Sequence, residues 1–266
     1  MTRLDRTWAQ LRARKRKALI AFVTAGDPSL AATVPALHAL VRGGADVLEL
    51  GVPFSDPEAE GPSIQASSER ALRAGTRLAD VIQMVAQFRL GDRETPVVLM
   101  GYLNPIERMG VEAYARRLAD AGADGTIIVN LPPEEAAPLG AALAARGLSL
   151  ILMVAPTTTD ARMKTIADAA SGFIYYVSLK GVTGADHLDS STIAARVAAI
   201  RAVSNLPVAV GFGIKDGATA ARVATSCDGV VVGSALVDTM QRLAAAPDSI
   251  PAALEKQAAE LRRALG

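Results

Sequence analysis

Compact apolar runs alternate along this chain with longer, alanine-rich segments whose charged residues recur at helical spacing. The runs fall at 18–24, 47–51, 97–100, 126–129, 148–154, 173–177, 208–210 and 229–232. Short apolar runs bounded by turn residues read as buried strands. The segments 30–43, 111–121, 133–146, 159–169, 191–203 and 251–265 read as helices, and Leu4, Trp8 and Leu11 predict one more over 4–16. Strands alternating with helices imply parallel pairing under a helical cover. Eight such units in roughly 250 residues predict an α/β chain folded as a (β/α)₈ barrel with an extra N-terminal helix. A doubly wound open sheet is the competitor, because periodicity does not reveal closure. No linker or low-complexity tract interrupts the pattern, so residues 1–266 are expected to form one domain. The longest connections are expected after the second strand, from Pro53 to about Arg77, and after the sixth, from Ser178 to about Asp189. Long connections in compact folds are commonly binding loops.

Composition narrows the picture. Half of the residues are hydrophobic but only 4% are aromatic, so the core must be built from Ala, Leu, Val and Ile. Lys and Arg number 28 against 27 Asp and Glu, a net charge of +1 that gives no general attraction to nucleic acid or anionic membrane. The basic run 12–17 reads as a solvated helix end. Cys227, the single cysteine, excludes an intramolecular disulfide and fits a reducing compartment. The polar N-terminus lacks the apolar stretch of a signal peptide, and no apolar run reaches membrane-spanning length. A cytoplasmic location is expected.

The candidate chemistry centres on Val47–Gln65. Glu49 interrupts an apolar strand near its carboxyl end, and a buried carboxylate is ordinarily paired or used. The loop that follows is fenced by Pro53, Pro57 and Pro62 and carries Asp56, Glu58 and Glu60. Proline stiffens it and argues against a helix interior. A strand-end acid facing acids on a rigid loop suggests a general acid/base pair across a cavity. Three glycine-bearing loops, at 180–184, 211–214 and 233–235, follow late strands, where barrels commonly bind phosphate through backbone N–H groups. Gly217 falls one residue late for a dinucleotide fingerprint, so a nicotinamide cofactor is not expected. His38 and His187 share no metal-ligand pattern with Cys227, and the loop acids lack a full ligand set. Neither a metal nor a cofactor is expected, and the absence of G-x-S-x-G leaves serine-hydrolase chemistry without support.

The strings AFVTAGDP (21–28), LELGVPFSDP (48–57), GPSIQ (61–65), VVLMGYLNPIE (97–107), LPPEEA (131–136), FIYYVSLKGVTGA (173–185), PVAVGFGI (207–214) and GVVVGSALV (229–237) resemble the tryptophan synthase α-subunit family over almost the whole chain. The resemblance implies a (β/α)₈ barrel that cleaves indole-3-glycerol phosphate to indole and glyceraldehyde 3-phosphate in tryptophan biosynthesis. It also implies a pyridoxal-phosphate β subunit as partner in an α2β2 heterotetramer. Glu49 matches the family's first catalytic carboxylate. Thr183, Gly184, Gly213, Gly233 and Ser234 correspond to substrate and phosphate contacts. Phe22, Ile64, Met100, Tyr175 and Phe212 correspond to the walls around the indole. Pro53, Pro57, Asn104 and Pro132 match regions that contact the partner. Three positions depart from the family's pattern. Its loop usually reads SDPxADGP, whereas this chain has SDPEAEGP, so Glu60 stands at the second carboxylate and Glu58 where an apolar residue is common. Asn130 replaces an Asp at a position associated with communication between subunits. Glu60 is longer than Asp by one methylene and is expected to sit out of place and slow the reaction. Two other readings are a weakly active or inactive α-like chain that binds substrate and regulates a β subunit, and a lyase for a related phosphorylated substrate.

Overall fold

The computed structural model describes residues 1–178, 190–211 and 213–266. Its strands are β1 (Ala18–Thr24), β2 (Val47–Gly51), β3 (Val97–Gly101), β4 (Gly125–Ile128), β5 (Ser149–Val154), β6 (Ile174–Val177), β7 (Val208–Gly211) and β8 (Gly229–Val232). Every neighbouring pair is parallel, and β8 returns to pair with β1, so the sheet is a closed barrel and the open-sheet competitor is excluded. The helices are α1 (Arg3–Ala13), α2 (Leu30–Arg42), α3 (Pro62–Arg73), α4 (Leu78–Arg89), α5 (Leu103–Met109), α6 (Val111–Ala121), α7 (Ala137–Ala144), α8 (Asp160–Ala169), α9 (Ser190–Val203), α10 (Gly217–Ala224), α11 (Ser234–Arg242) and α12 (Ile250–Leu265). None of the described helices is long and apolar enough to cross a membrane.

Three expected boundaries are corrected: the N-terminal helix ends at Ala13 instead of residue 16, and two others change at prolines. Pro62 is the first residue of α3 instead of part of the loop, because the first turn of a helix needs no N–H from its opening residue. The connection after β2 therefore holds two helices and a loop that ends at Gly61. The helix expected over 133–146 begins as a 3₁₀ turn, Pro133–Glu135, and becomes α-helical only at Ala137, with Pro138 in its first turn.

Alternation along the strands separates two cores. On β1, Leu19, Ala21 and Val23 pack outward against the helices, while Ala18, Ile20 and Phe22 face the barrel interior. Val98, Met100, Ile127, Ile151, Tyr175, Ala209 and Val231 fill the same interior. It extends downward onto α1, whose Leu4, Trp8 and Leu11 plug the end of the barrel where the strands begin. Trp8 lies on Phe173 with ring centroids 5.7 Å apart. The N-terminal helix is thus a stopper, and the opposite end is left as the mouth.

A repeated device ties the strand starts together. Asp46, Asp124 and Asp228 immediately precede β2, β4 and β8. Each accepts the backbone N–H of the facing residue on the preceding strand (Leu19, Val97 and Val208) at 2.8 Å. Each also pairs with an arginine from a covering helix: Arg262 at 2.9 Å, Arg89 at 2.8 Å and Arg201 at 2.9 Å respectively. In the remaining quarter Ser171 plays the corresponding part, its Oγ accepting from Leu150 N–H. Burial raises the Asp46 and Asp124 carboxyls above the usual range despite these donors, so such a pair adds little net stability while its rupture strands a buried charge.

Asp124 is 4% exposed, whereas the side chain of Asp228 is 37% exposed. Asp124→Ala is expected to lower unfolding free energy by about 3 to 5 kcal/mol. Asp228→Ala should lower it by less than half as much, as read from paired urea titrations.

Candidate active site

The barrel mouth is shaped by residues at strand ends. Phe22 on β1 lies in register with Glu49 on β2, and Gly51 lies opposite Met100 on β3. Tyr175 on β6 faces Ala209 on β7, and Val231 on β8 pairs with Gly211. Two glycines make room for the aromatic rings. A Cβ on Gly51 would fall 2.6 Å from Phe22 Cζ, and one on Gly211 would overlap the Tyr175 hydroxyl. The result is a cavity of about 90 Å³ whose lining includes Phe22, Glu49, Glu60, Ile64, Met100 and Tyr175. Gly213, Ile214, Lys215, Val231, Gly233 and Ser234 complete it.

Glu49 is the unusual member. It is 1% exposed, and neither carboxyl oxygen has a hydrogen-bond partner among the described residues. Burial, reinforced by the charge of Glu60, lifts its pKa to about 8. Burial likewise lifts Glu60 to about 7. Tyr175 is pushed well above its ordinary range by burial and by both carboxylates, so its hydroxyl remains protonated. Near neutral pH the pair can therefore hold a proton on one carboxyl while the other accepts one, the arrangement acid–base chemistry requires.

Glu60 is held by its loop. Its N–H donates to Pro57 O at 3.1 Å, and its carbonyl accepts from Gln65 Nε2 at 2.9 Å. The preceding Ala59 N–H donates to Tyr102 Oη at 3.2 Å, and Tyr102 stacks on Phe54 with centroids 4.7 Å apart. The helix that follows, α3, is fastened to β1 and the turn after it. Arg70 makes a two-pronged contact with the fully buried Asp27 at 2.7 and 2.8 Å, and the Thr24 and Ser67 hydroxyls meet at 2.6 Å. Asn130 clasps the next two loops, accepting from Leu103 N–H at 2.8 Å and donating to Asn104 Oδ1 at 3.3 Å.

Of the residues singled out from sequence, Phe22, Glu49, Glu60, Ile64, Met100, Tyr175, Gly213, Gly233 and Ser234 converge on this one cavity. Thr183, Gly184 and Phe212 lie outside the described residues, as do Lys180 and His187. Asp56 and Glu58 are exposed to solvent at the loop tip, away from the cavity lining. Pro57 and Pro132 lie on the loops after β2 and β4, Asn104 lies in the first turn of α5 after β3, and Pro53 is buried. His38 is remote, stacked on Phe88 between α2 and α4. Sequence reading missed Ile214, Lys215 and Val231. The inward alternation of β8 carried a signal for Val231, whereas Lys215 carried none.

A closed (β/α)₈ barrel with two buried carboxyl groups in one cavity is an arrangement suited to acid–base chemistry. Comparison with known proteins gives the family. The model described as tryptophan synthase alpha chain matches residues 8–265. The tryptophan synthase alpha chain of Alkalilimnicola ehrlichii is 56% identical over 265 residues, covering 100% of this chain and 97% of that protein. The corresponding protein of Burkholderia pseudomallei is 54% identical with the same coverage. The crystal structure of tryptophan synthase subunit alpha from Legionella pneumophila superposes with a TM-score of 0.92 at 45% identity, covering 100% of this chain and 98% of that one. This chain belongs to the tryptophan synthase alpha chain family.

The raised pKa of Glu49 has a sign that stability measurements can read. Between the ordinary value of 4.5 and about 8, the folded protein retains a proton that the unfolded chain releases. Stability therefore falls as pH rises through that window. Glu49→Gln removes the titration, so its melting temperature should exceed the parent's at pH 8.5 and approach it near pH 4. A constant difference across that range would contradict the assignment.

Proposed function

We propose that Glu49 and Glu60 are the carboxyl groups with which this chain, a carbon–carbon lyase of tryptophan biosynthesis, cleaves indole-3-glycerol phosphate to indole and glyceraldehyde 3-phosphate. The observation that carries the reading is the convergence of the two raised carboxyls on one largely apolar cavity. In the retro-aldol cleavage the bond between the indole ring carbon and the glycerol chain breaks. Its electron pair returns to the ring, and the hydroxyl carbon becomes the aldehyde. Glu49, protonated up to about pH 8, suits delivery of a proton to the ring carbon and collection of the hydroxyl proton. Glu60 suits balancing the positive charge that develops at the indole N–H. Phe22, Ile64, Met100 and Tyr175 offer the flat apolar walls that an indole fills. Gly213, Gly233 and Ser234 also line the cavity, and at Gly233–Ser234 the first N–H groups of α11 lack acceptors within their own helix and can receive the phosphate.

Tryptophan synthase alpha chains pair with a β subunit. We place that contact on the mouth face, with Pro57, Asn104 and Pro132 on its surface and Pro53 buried in the loop after β2. The chain is assigned to the cytoplasm along with its pathway.

Two substitutions test the roles. Glu49→Gln keeps the shape but abolishes proton transfer, and kcat for indole-3-glycerol phosphate should fall by about 10² to 10⁴. Near-parental turnover would refute the role of Glu49 as the acid/base group. The second concerns reach. The bonds around residue 60 pin the backbone, so the extra methylene of Glu60 is not absorbed by a shift of the loop, and a displacement of about 1 Å in a catalytic group can cost on the order of 10²-fold. Glu60→Asp is therefore expected to raise kcat. A fall would show a cavity built around the longer side chain, and no turnover in either protein would indicate a binding subunit without chemistry of its own.

A further inference from the structure

Lys215 is the single cation among the described residues that line the active cavity. It follows the buried Ile214 directly and shares the cavity lining with Gly213, Gly233 and Ser234. The ammonium group has no carboxylate partner within salt-bridge distance among the described residues. Its neighbour Asp216 is committed elsewhere, capping α10 by accepting from Thr219 N–H at 2.8 Å. An anion entering this cavity meets a specific problem. Glu49 and Glu60 line the same cavity, and whichever of them is ionised repels a phosphate dianion. Backbone N–H groups at the start of α11 supply partial positive charge, but no full charge to offset that repulsion. A lysine on a flexible four-carbon stem at the phosphate end supplies one, as a point charge that can follow the ligand.

We propose that Lys215 is a substrate-affinity and specificity determinant, pairing with the phosphate held on Gly213, Gly233 and Ser234 and setting the preference for phosphorylated over unphosphorylated indole compounds. The inference rests on the phosphate-site reading above and adds to it a charged side chain that acts at binding, separate from the proton-transfer pair.

The exposure of Lys215 limits the size of the effect, since a solvated ion pair contributes modestly. Lys215→Met preserves length and removes charge. It should raise KM for indole-3-glycerol phosphate roughly fivefold with kcat held near the parent value, and raise the inhibition constant of glycerol 3-phosphate by a similar factor. Lys215→Arg should restore most of the loss. Raising ionic strength should weaken glycerol 3-phosphate binding to the parent more steeply than to Lys215→Met, while inhibition by unphosphorylated indolepropanol should be equal for the two. Equal KM, inhibition constant and salt slope in the parent and Lys215→Met would overturn the proposal and leave Lys215 a solvated surface residue. Gly233→Val separates that outcome from failure of the underlying site. If glycerol 3-phosphate inhibits the parent and Gly233→Val equally, the phosphate is not held at this loop and both readings fall. If Gly233→Val loses inhibition and Lys215→Met does not, the phosphate site stands and only the role of Lys215 is rejected.

Discussion

A buried carboxyl group without a hydrogen-bond partner among the described residues is the constraint around which the mouth of this barrel is arranged. Glu49 sits on a strand whose other side chains are all apolar or absent, in register with Phe22 and Val98, and its oxygens have no hydrogen-bond partner among the described residues. Ionising it there is unfavourable, and the nearby Glu60 makes it more so. The surrounding structure tolerates this because the strain is local and the rest of the scaffold is firmly tied. Aspartate–arginine clamps fasten the strand starts, and Arg70 with Asp27 fastens the helix behind the Glu60 loop. The Tyr175 ring, which projects from β6 into the barrel interior, could not keep its place if Gly211 carried a side chain. Reactivity at one end of the barrel thus depends on rigidity at the other.

Much of this was legible in the chain because its signals are local. The apolar run broken by Glu49, the proline-rich loop beyond it and the glycines at 213 and 233 each occupy a few consecutive residues, and the barrel brings them together. The strand limits at 18–24, 47–51 and 229–232 could be read for the same reason. The clamps could not. Asp46 and Arg262 stand more than two hundred positions apart, and nothing in their own surroundings distinguishes them from solvated surface charges. Pro62 misled for a physical reason: proline excludes a helix interior but suits a helix start, and only the hydrogen bonds of the following turn distinguish the two. Lys215 carried no sequence signal, since a lysine beside a turn is usually solvated and only the fold brings it into the lining of the same cavity as Glu49.

Asn130 illustrates how a single-atom difference alters a connection without altering the fold. Its amide both accepts from Leu103 N–H and donates to Asn104, so it joins two loops of the mouth without net charge. An aspartate there could keep the first bond but could not donate in the second, and Asn104 would have to present its own amide instead. The chain thus carries a neutral clasp in the middle of a face that also displays the exposed acids Asp56 and Glu58.

The plug formed by α1 has a consequence for traffic. With Leu4, Trp8 and Leu11 filling the lower end, the interior is a blind vessel. A molecule formed in the cavity has no route downward past α1 and must depart through the opening by which its precursor arrived. Reactant and both fragments therefore compete for one doorway, and any protein resting on that rim governs the order in which they pass.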